Sequence, residues 1–163
     1  MKPALLASLA LVVPLAFLTG CGDNKDPAAA ITAAKESGEL AVTDGKLVLP
    51  AVAGNPAAAY FTLANGTKEA VSLAGASVEG ATKAEMHETA SGSMTSITTL
   101  TMGAGSSVTF APGGKHLMVF GVKKSIKPGD SAKLTLLLAG GKTVTAPLAI
   151  VAAGEAGMAG MNH

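Results

Sequence analysis

The sequence predicts an all-β domain, an antiparallel sandwich or barrel. Three observations predict it. Apolar and β-branched runs of four to ten residues follow one another from Leu40 onward, with no internal repeat. Turn signals separate them at intervals of about eight to twelve residues, the spacing of such folds. One run, Ala57 to Ala64, also alternates: Ala57, Ala59, Phe61 and Leu63 share one face, while Tyr60 and Thr62 take the other. That period of two belongs to a half-buried strand.

The remaining elements follow in order. Asp44-Gly45 introduces Lys46 to Pro50, and Asn65-Gly66, a strong turn dipeptide, closes Ala57 to Ala64. Ala70 to Leu73 and Ser77 to Val78 are weaker runs. Lys83 to Glu88 and Met94 to Thr101 flank the turn Ala90-Ser91-Gly92-Ser93. Ser107 to Phe110 ends at Pro112-Gly113-Gly114, and Lys115 to Val122 ends at Lys127-Pro128-Gly129-Asp130. Ala132 to Leu138 ends at Gly140-Gly141, and Lys142 to Val151 is the last run. The β domain is expected over 40–152. Residues 153–163, rich in Gly, Ala and Met, read as a flexible tail.

Residues 1–20 read as a signal peptide: Lys2 supplies the positive charge and Ala4 to Leu18 the apolar stretch. Leu18-Thr19-Gly20-Cys21 resembles a bacterial lipobox. That resemblance implies lipidation at Cys21, export to the bacterial periplasm and attachment to a membrane by acyl chains. Residues 21–39 are then the tether that holds the domain off the bilayer.

Composition excludes several functions. Removing Lys2 with the signal leaves 11 basic and 11 acidic side chains, so no basic surface invites nucleic acid. Trp is absent and aromatics are few, which argues against a stacking site for bases or sugars. The core must then be Val, Leu, Ile, Ala and a few Phe. Cys21 is the only cysteine, so the domain has no disulfide, no catalytic thiol and no thiolate for a blue-copper centre. Glu85 and Glu88 flank His87, but no nucleophile motif such as GxSxG accompanies them. An enzyme is not expected.

Histidine and methionine carry the chemistry. The three His each have a Met within two positions: Met86-His87, His116-Leu117-Met118 and Met161-Asn162-His163. On a strand His116 and Met118 point to the same face, about 7 Å apart. A hairpin centred between Ala90 and Ser91 sets His87 opposite Met94, with Cβ atoms about 5 Å apart. Each device supplies one imidazole and one thioether; brought together, the two pairs would give a four-ligand His₂Met₂ site, and spacing alone does not show that they meet. Neutral, soft donors of this kind suit Cu(I) better than Zn²⁺ or Mg²⁺. In the tail, Met158, Met161 and His163 form a further candidate set, whose imidazole and terminal carboxylate would tolerate Cu(II). Glu85 or Glu88 is placed to orient a ligand imidazole from behind.

His87, Met94, a gap of 21 residues and then His116-Leu117-Met118 resemble the signature of the periplasmic copper chaperone PCu(A)C family. Pro112-Gly113-Gly114 and the stretch from Lys127 to Leu138 are similar too, and the likeness runs from about Gly45 to Ile150. It implies a cupredoxin-like, Greek-key β-sandwich. It implies His87, Met94, His116 and Met118 as the ligands of an accessible Cu(I) site. It also implies delivery of copper to a partner, cytochrome oxidase subunit II or another copper chaperone. One feature departs from the family: six residues, not about ten, separate His87 from Met94, which makes Met86 the substitute for Met94. Two other functions compete with delivery. One is copper sequestration or resistance by the same site; the other is a structural lipoprotein that binds no metal.

Overall fold

The computed structural model describes residues 39–154. Cys21, Met158, Met161 and His163 lie outside them, as do the signal, the tether and nearly all of the tail. The described residues form ten strands and no helix. They are β1 (Leu40–Val48), β2 (Ala57–Asn65), β3 (Val71–Val78), β4 (Lys83–Ala90), β5 (Ser93–Ile97), β6 (Leu100–Met102), β7 (Ser107–Phe110), β8 (Lys115–Phe120), β9 (Ser131–Leu138) and β10 (Thr143–Val151).

The pairing order is β5-β4-β8-β2-β1-β10-β9-β3-β6, with β7 also on β2. An additional β3–β4 pairing, at Ala76 and Ala84, closes the path into a ring of seven strands. This is the expected all-β, sandwich-like fold. All pairings are antiparallel except β1 with β10, which run parallel.

Alternation builds the core. In β2 the side chains of Ala57, Ala59, Phe61 and Leu63 are buried and those between them are half-buried, as the sequence pattern predicts. Leu134, Leu136 and Leu138 do the same from β9, and Leu117 and Val119 from β8. Phe61 and Phe110 stack with ring centroids 4.3 Å apart. Asn65 is fully buried, and its amide donates to the carbonyls of Glu69 and Gly103, each at 2.9 Å. A buried polar side chain needs such partners.

Two sequence readings need correction. Asp44-Gly45 is no turn: β1 runs through it with a bulge between Thr43 and Lys46. Asp44 takes the left-handed conformation at φ 56°. Gly45 is required because a Cβ there would lie 2.4 Å from the carbonyl oxygen of Pro147. Likewise, Met94 to Thr101 is not one strand. The chain leaves β4 after Ile97 and joins β3 from Leu100, so the run divides into β5 and β6.

Candidate metal centre

β4 and β8 pair antiparallel from Lys83↔Phe120 to Glu88↔Lys115, and His87 faces His116 directly. Directly opposed residues share a face. The outward face of this ribbon therefore carries Lys83 and Phe120, then Glu85 and Met118, then His87 and His116. The inward face carries Met86 opposite Leu117 and Ala84 opposite Val119, in the core.

The two imidazoles have ring centroids 6.1 Å apart, inclined by 27°. Both are nearly enclosed: His116 is 5% exposed and the His87 side chain 16%. Their hydrogen bonding differs. The Nδ1–H of His116 donates to the carbonyl of Gly114 at 2.9 Å. A carbonyl only accepts, so the proton sits on Nδ1 and the Nε2 lone pair is left for a ligand. Neither ring nitrogen of His87 has a hydrogen-bond partner, although both atoms are buried. An unpaired buried polar atom is costly, on the order of 1–3 kcal/mol. An imidazole in this state beside a second imidazole marks a candidate metal-binding position.

The position of His116 comes from an interruption in the sheet. β7 and β8 lie end to end along β2, with Phe110 opposite Phe61 and Leu117 opposite Ala59. One residue of β2, Tyr60, bridges a stretch that takes Ala111 to His116 on the other side. The surplus chain folds out as a loop closed by Ala111 N–H to Lys115 O at 2.7 Å and Gly114 N–H to Ala111 O at 3.1 Å. Gly113 supplies the positive φ, 76°, that the loop needs. Gly114 O then accepts twice, from His116 Nδ1 and from the Thr89 amide of β4 at 3.1 Å. This carbonyl orients the His116 imidazole, and no side-chain motif announces it.

The β4–β5 hairpin differs from its expected register. It turns at Ser91-Gly92, with φ of 51° and 79°, so Met94 lies opposite Thr89 and His87 opposite Ser96. A two-residue turn of this hand needs positive φ at both central residues, and Ser-Gly meets that need better than Ala-Ser. The predicted His87–Met94 opposition is thus corrected by two residues. Met94 stays on the outward face, diagonal to His87, at a Cβ spacing of about 7–8 Å that long side chains span. It is 55% exposed.

Met86 is the second correction. It is 4% exposed, packs in the core and faces away from His87, so it does not substitute for Met94. The pleat separates them, because adjacent strand residues point to opposite sides. Three strands thus bring Met94, His87, His116 and Met118 to one face. Among the described residues no three His, Cys, Asp or Glu side chains gather closely enough to hold an ion. The other candidate donors on this face are the thioethers of Met94 and Met118.

Charges frame the site. Glu85 binds Lys83 at 2.7 Å through Oε1, and its Oε2 lies 3.6 Å from His87 Nε2. The hydrogen bond from Lys83 holds the Glu85 carboxyl below its usual range, with a smaller contribution from His87. Glu88 points to the other face and binds Lys115 at 2.5 Å.

Residues 40–150 match the LpqE-like family, described as "Putative lipoprotein LpqE-like". A relative from Leifsonia xyli subsp. xyli (strain CTCB07), "Putative lipoprotein Lxx21020", is 29% identical over 151 residues, which is 90% of this chain and 88% of the relative. Among solved structures, the apo PCuAC domain of PmoF2 superposes with a TM-score of 0.61 at 22% identity, covering 71% of this chain and 91% of that domain. The copper-bound PCuAC domain of PmoF2 gives 0.59 at 22%, covering 69% and 92%. The solution structure of CuI-DR1885 from Deinococcus radiodurans gives 0.54 at 27%, covering 74% and 85%. The chain belongs to the LpqE-like lipoprotein family, and its domain has the fold of PCuAC domains.

Proposed function

We propose that this protein is a copper carrier that holds Cu(I) between His87 and His116, with Met118 and Met94 as thioether donors, and passes it to a copper-accepting protein. One observation carries the reading: both nitrogens of His87 are buried without a hydrogen-bond partner, directly opposite a histidine whose Nε2 is left free. The copper-bound PCuAC domain and CuI-DR1885 support it by similarity of fold. Thioether and neutral imidazole bind Cu(I) without giving up a proton.

The arrangement suits transfer by ligand exchange. Met94, exposed on the edge strand β5, is the donor that an incoming ligand displaces first. His116, anchored to Gly114, is the donor that leaves last. A respiratory oxidase copper centre, such as that of subunit II, is the recipient implied by the resemblance. Cys21 carries the lipid that holds the carrier to a membrane in the bacterial periplasm. No catalytic step belongs to this function.

An anaerobic Cu(I) titration of the protein, with X-ray absorption to count ligands, tests the site. One ion bound by mixed nitrogen and sulfur donors is expected. Binding with no sulfur, or no binding, refutes the assignment. Mixing the loaded protein with the oxidase copper domain separates delivery from sequestration, since a sequestering protein keeps its ion. Cys21→Ser should release the protein from membranes or stall it as precursor. Retention on membranes after signal cleavage would place the anchor elsewhere.

A further inference from the structure

The two imidazoles of the site are not equivalent. His116 has its proton placed by Gly114 O, whereas His87 has no hydrogen bond at either nitrogen. An imidazole whose tautomer is unset can present the wrong nitrogen to a metal. Metal-bound histidines almost always donate their other N–H to a carboxylate, a carbonyl or water. For His87 the charged group in reach is Glu85, two residues earlier on the same face of β4.

We propose that Glu85 is a positioning residue for His87: its Oε2 accepts the Nε2–H of the imidazole and thereby presents Nδ1 to the metal. The inference rests on the copper-binding reading above. The 3.6 Å between Glu85 Oε2 and His87 Nε2 is longer than a hydrogen bond, which needs about 2.7–3.2 Å. The proposed bond requires the carboxylate to move a few tenths of an ångström nearer the ring, roughly the difference between the two distances. Lys83 holds the other oxygen, Oε1, so the carboxylate is anchored at one end and free to accept at the other. Glu88 is excluded from the role, because it lies on the opposite face in its pair with Lys115.

The consequence is specific. His116 binds through Nε2 and His87 through Nδ1, so the two histidines use opposite nitrogens. Glu85 itself touches no ion. It acts on His87 alone, raising the basicity of the imidazole and holding its ring in one orientation.

Cu(I) is diamagnetic, so long-range ¹H–¹⁵N NMR of the full chain loaded with Cu(I) reads which ring nitrogen carries each proton. We expect Nε2–H on His87 and Nδ1–H on His116. Glu85→Ala should mix the His87 tautomers and weaken Cu(I) binding by about 10–100-fold. Glu85→Gln keeps an acceptor oxygen and should restore the single tautomer and most of the affinity. Nδ1–H on His87 in the loaded protein overturns the inference alone. So does a Glu85→Ala variant with unchanged tautomer and affinity. So does a loss of affinity that tracks an equal loss of melting temperature and is not rescued by glutamine. If Cu(I) shifts neither imidazole, the copper reading falls and takes this inference with it.

Discussion

The two faces of the β4–β8 ribbon share a backbone and differ in almost everything else. The inward face sets Met86 against Leu117 and joins the core. The outward face sets His87 against His116 and leaves both buried nitrogens of His87 without a hydrogen-bond partner. Met86 and His87 are neighbours in sequence, yet one packs and the other is available to bind. The pleat makes this division, since each step along a strand reverses the side chain. A methionine in this ribbon is therefore core filler or a candidate ligand according to its parity, not its distance from a histidine.

The sharpest way to break the comparison is to empty each face in turn. Leu117→Ala on the inward face should cost about 2–5 kcal/mol of stability, measured by denaturant unfolding, and leave copper stoichiometry intact. His116→Ala or Met118→Ala should do the reverse, with a large loss of Cu(I) affinity and a smaller loss of stability. If Leu117→Ala abolished copper binding in protein that remained folded, the faces would not be independent.

Copper itself gives the next effect. Free Cu(I) at one hundred times its dissociation constant should stabilise the fold by about 2.7 kcal/mol, visible as a raised melting temperature. The increment should vanish in His116→Ala. An unchanged melting temperature in the parent protein would remove the case for a site in the folded state.

The two methionines divide the faces more finely. Met86→Ala should lower stability by about 2–5 kcal/mol with little change in copper affinity. Met94→Ala should leave stability within about 0.5 kcal/mol and weaken Cu(I) binding. Met102 behaves with Met86, being 2% exposed in the core, so its truncation is a packing experiment too. Equal copper affinities for Met86→Ala and Met94→Ala would dissolve the distinction.

The smallest effect concerns the tail. Deleting 155–163 should preserve the fold and one Cu(I) site while weakening Cu(II) capture by Met158, Met161 and His163. Matched titrations of full-length and truncated protein measure this. Identical Cu(II) stoichiometry and affinity would make the tail a bystander.

Much of this was legible in the chain. The alternation in Ala57–Ala64 assigned faces to β2 correctly, because a half-buried strand must repeat every second residue. His116-Leu117-Met118 reads the same way: its outer two residues share a face and the middle one is core. The same rule applied to Met86-His87 sets them on opposite sides, and closeness in sequence alone obscures that. The hairpin phase was recoverable as well, since Gly92 tolerates the positive φ that a two-residue turn imposes. The opposition of His87 and His116 was not. They are far apart in the chain, and the register of β4 on β8 is a tertiary choice that no local pattern encodes. Gly114 O was equally hidden, because a backbone acceptor leaves no trace in residue identity.

That carbonyl ties the strands of both histidines at one atom. The Thr89 amide on β4 and the His116 ring on β8 end on it together. Any local opening that frees the loop from Ala111 to Lys115 releases both at once. Solvent hydrogen then reaches the Thr89 amide when the His116 tether parts. The exchange rate of this single amide is a built-in gauge of how often the site loosens, readable without any metal present.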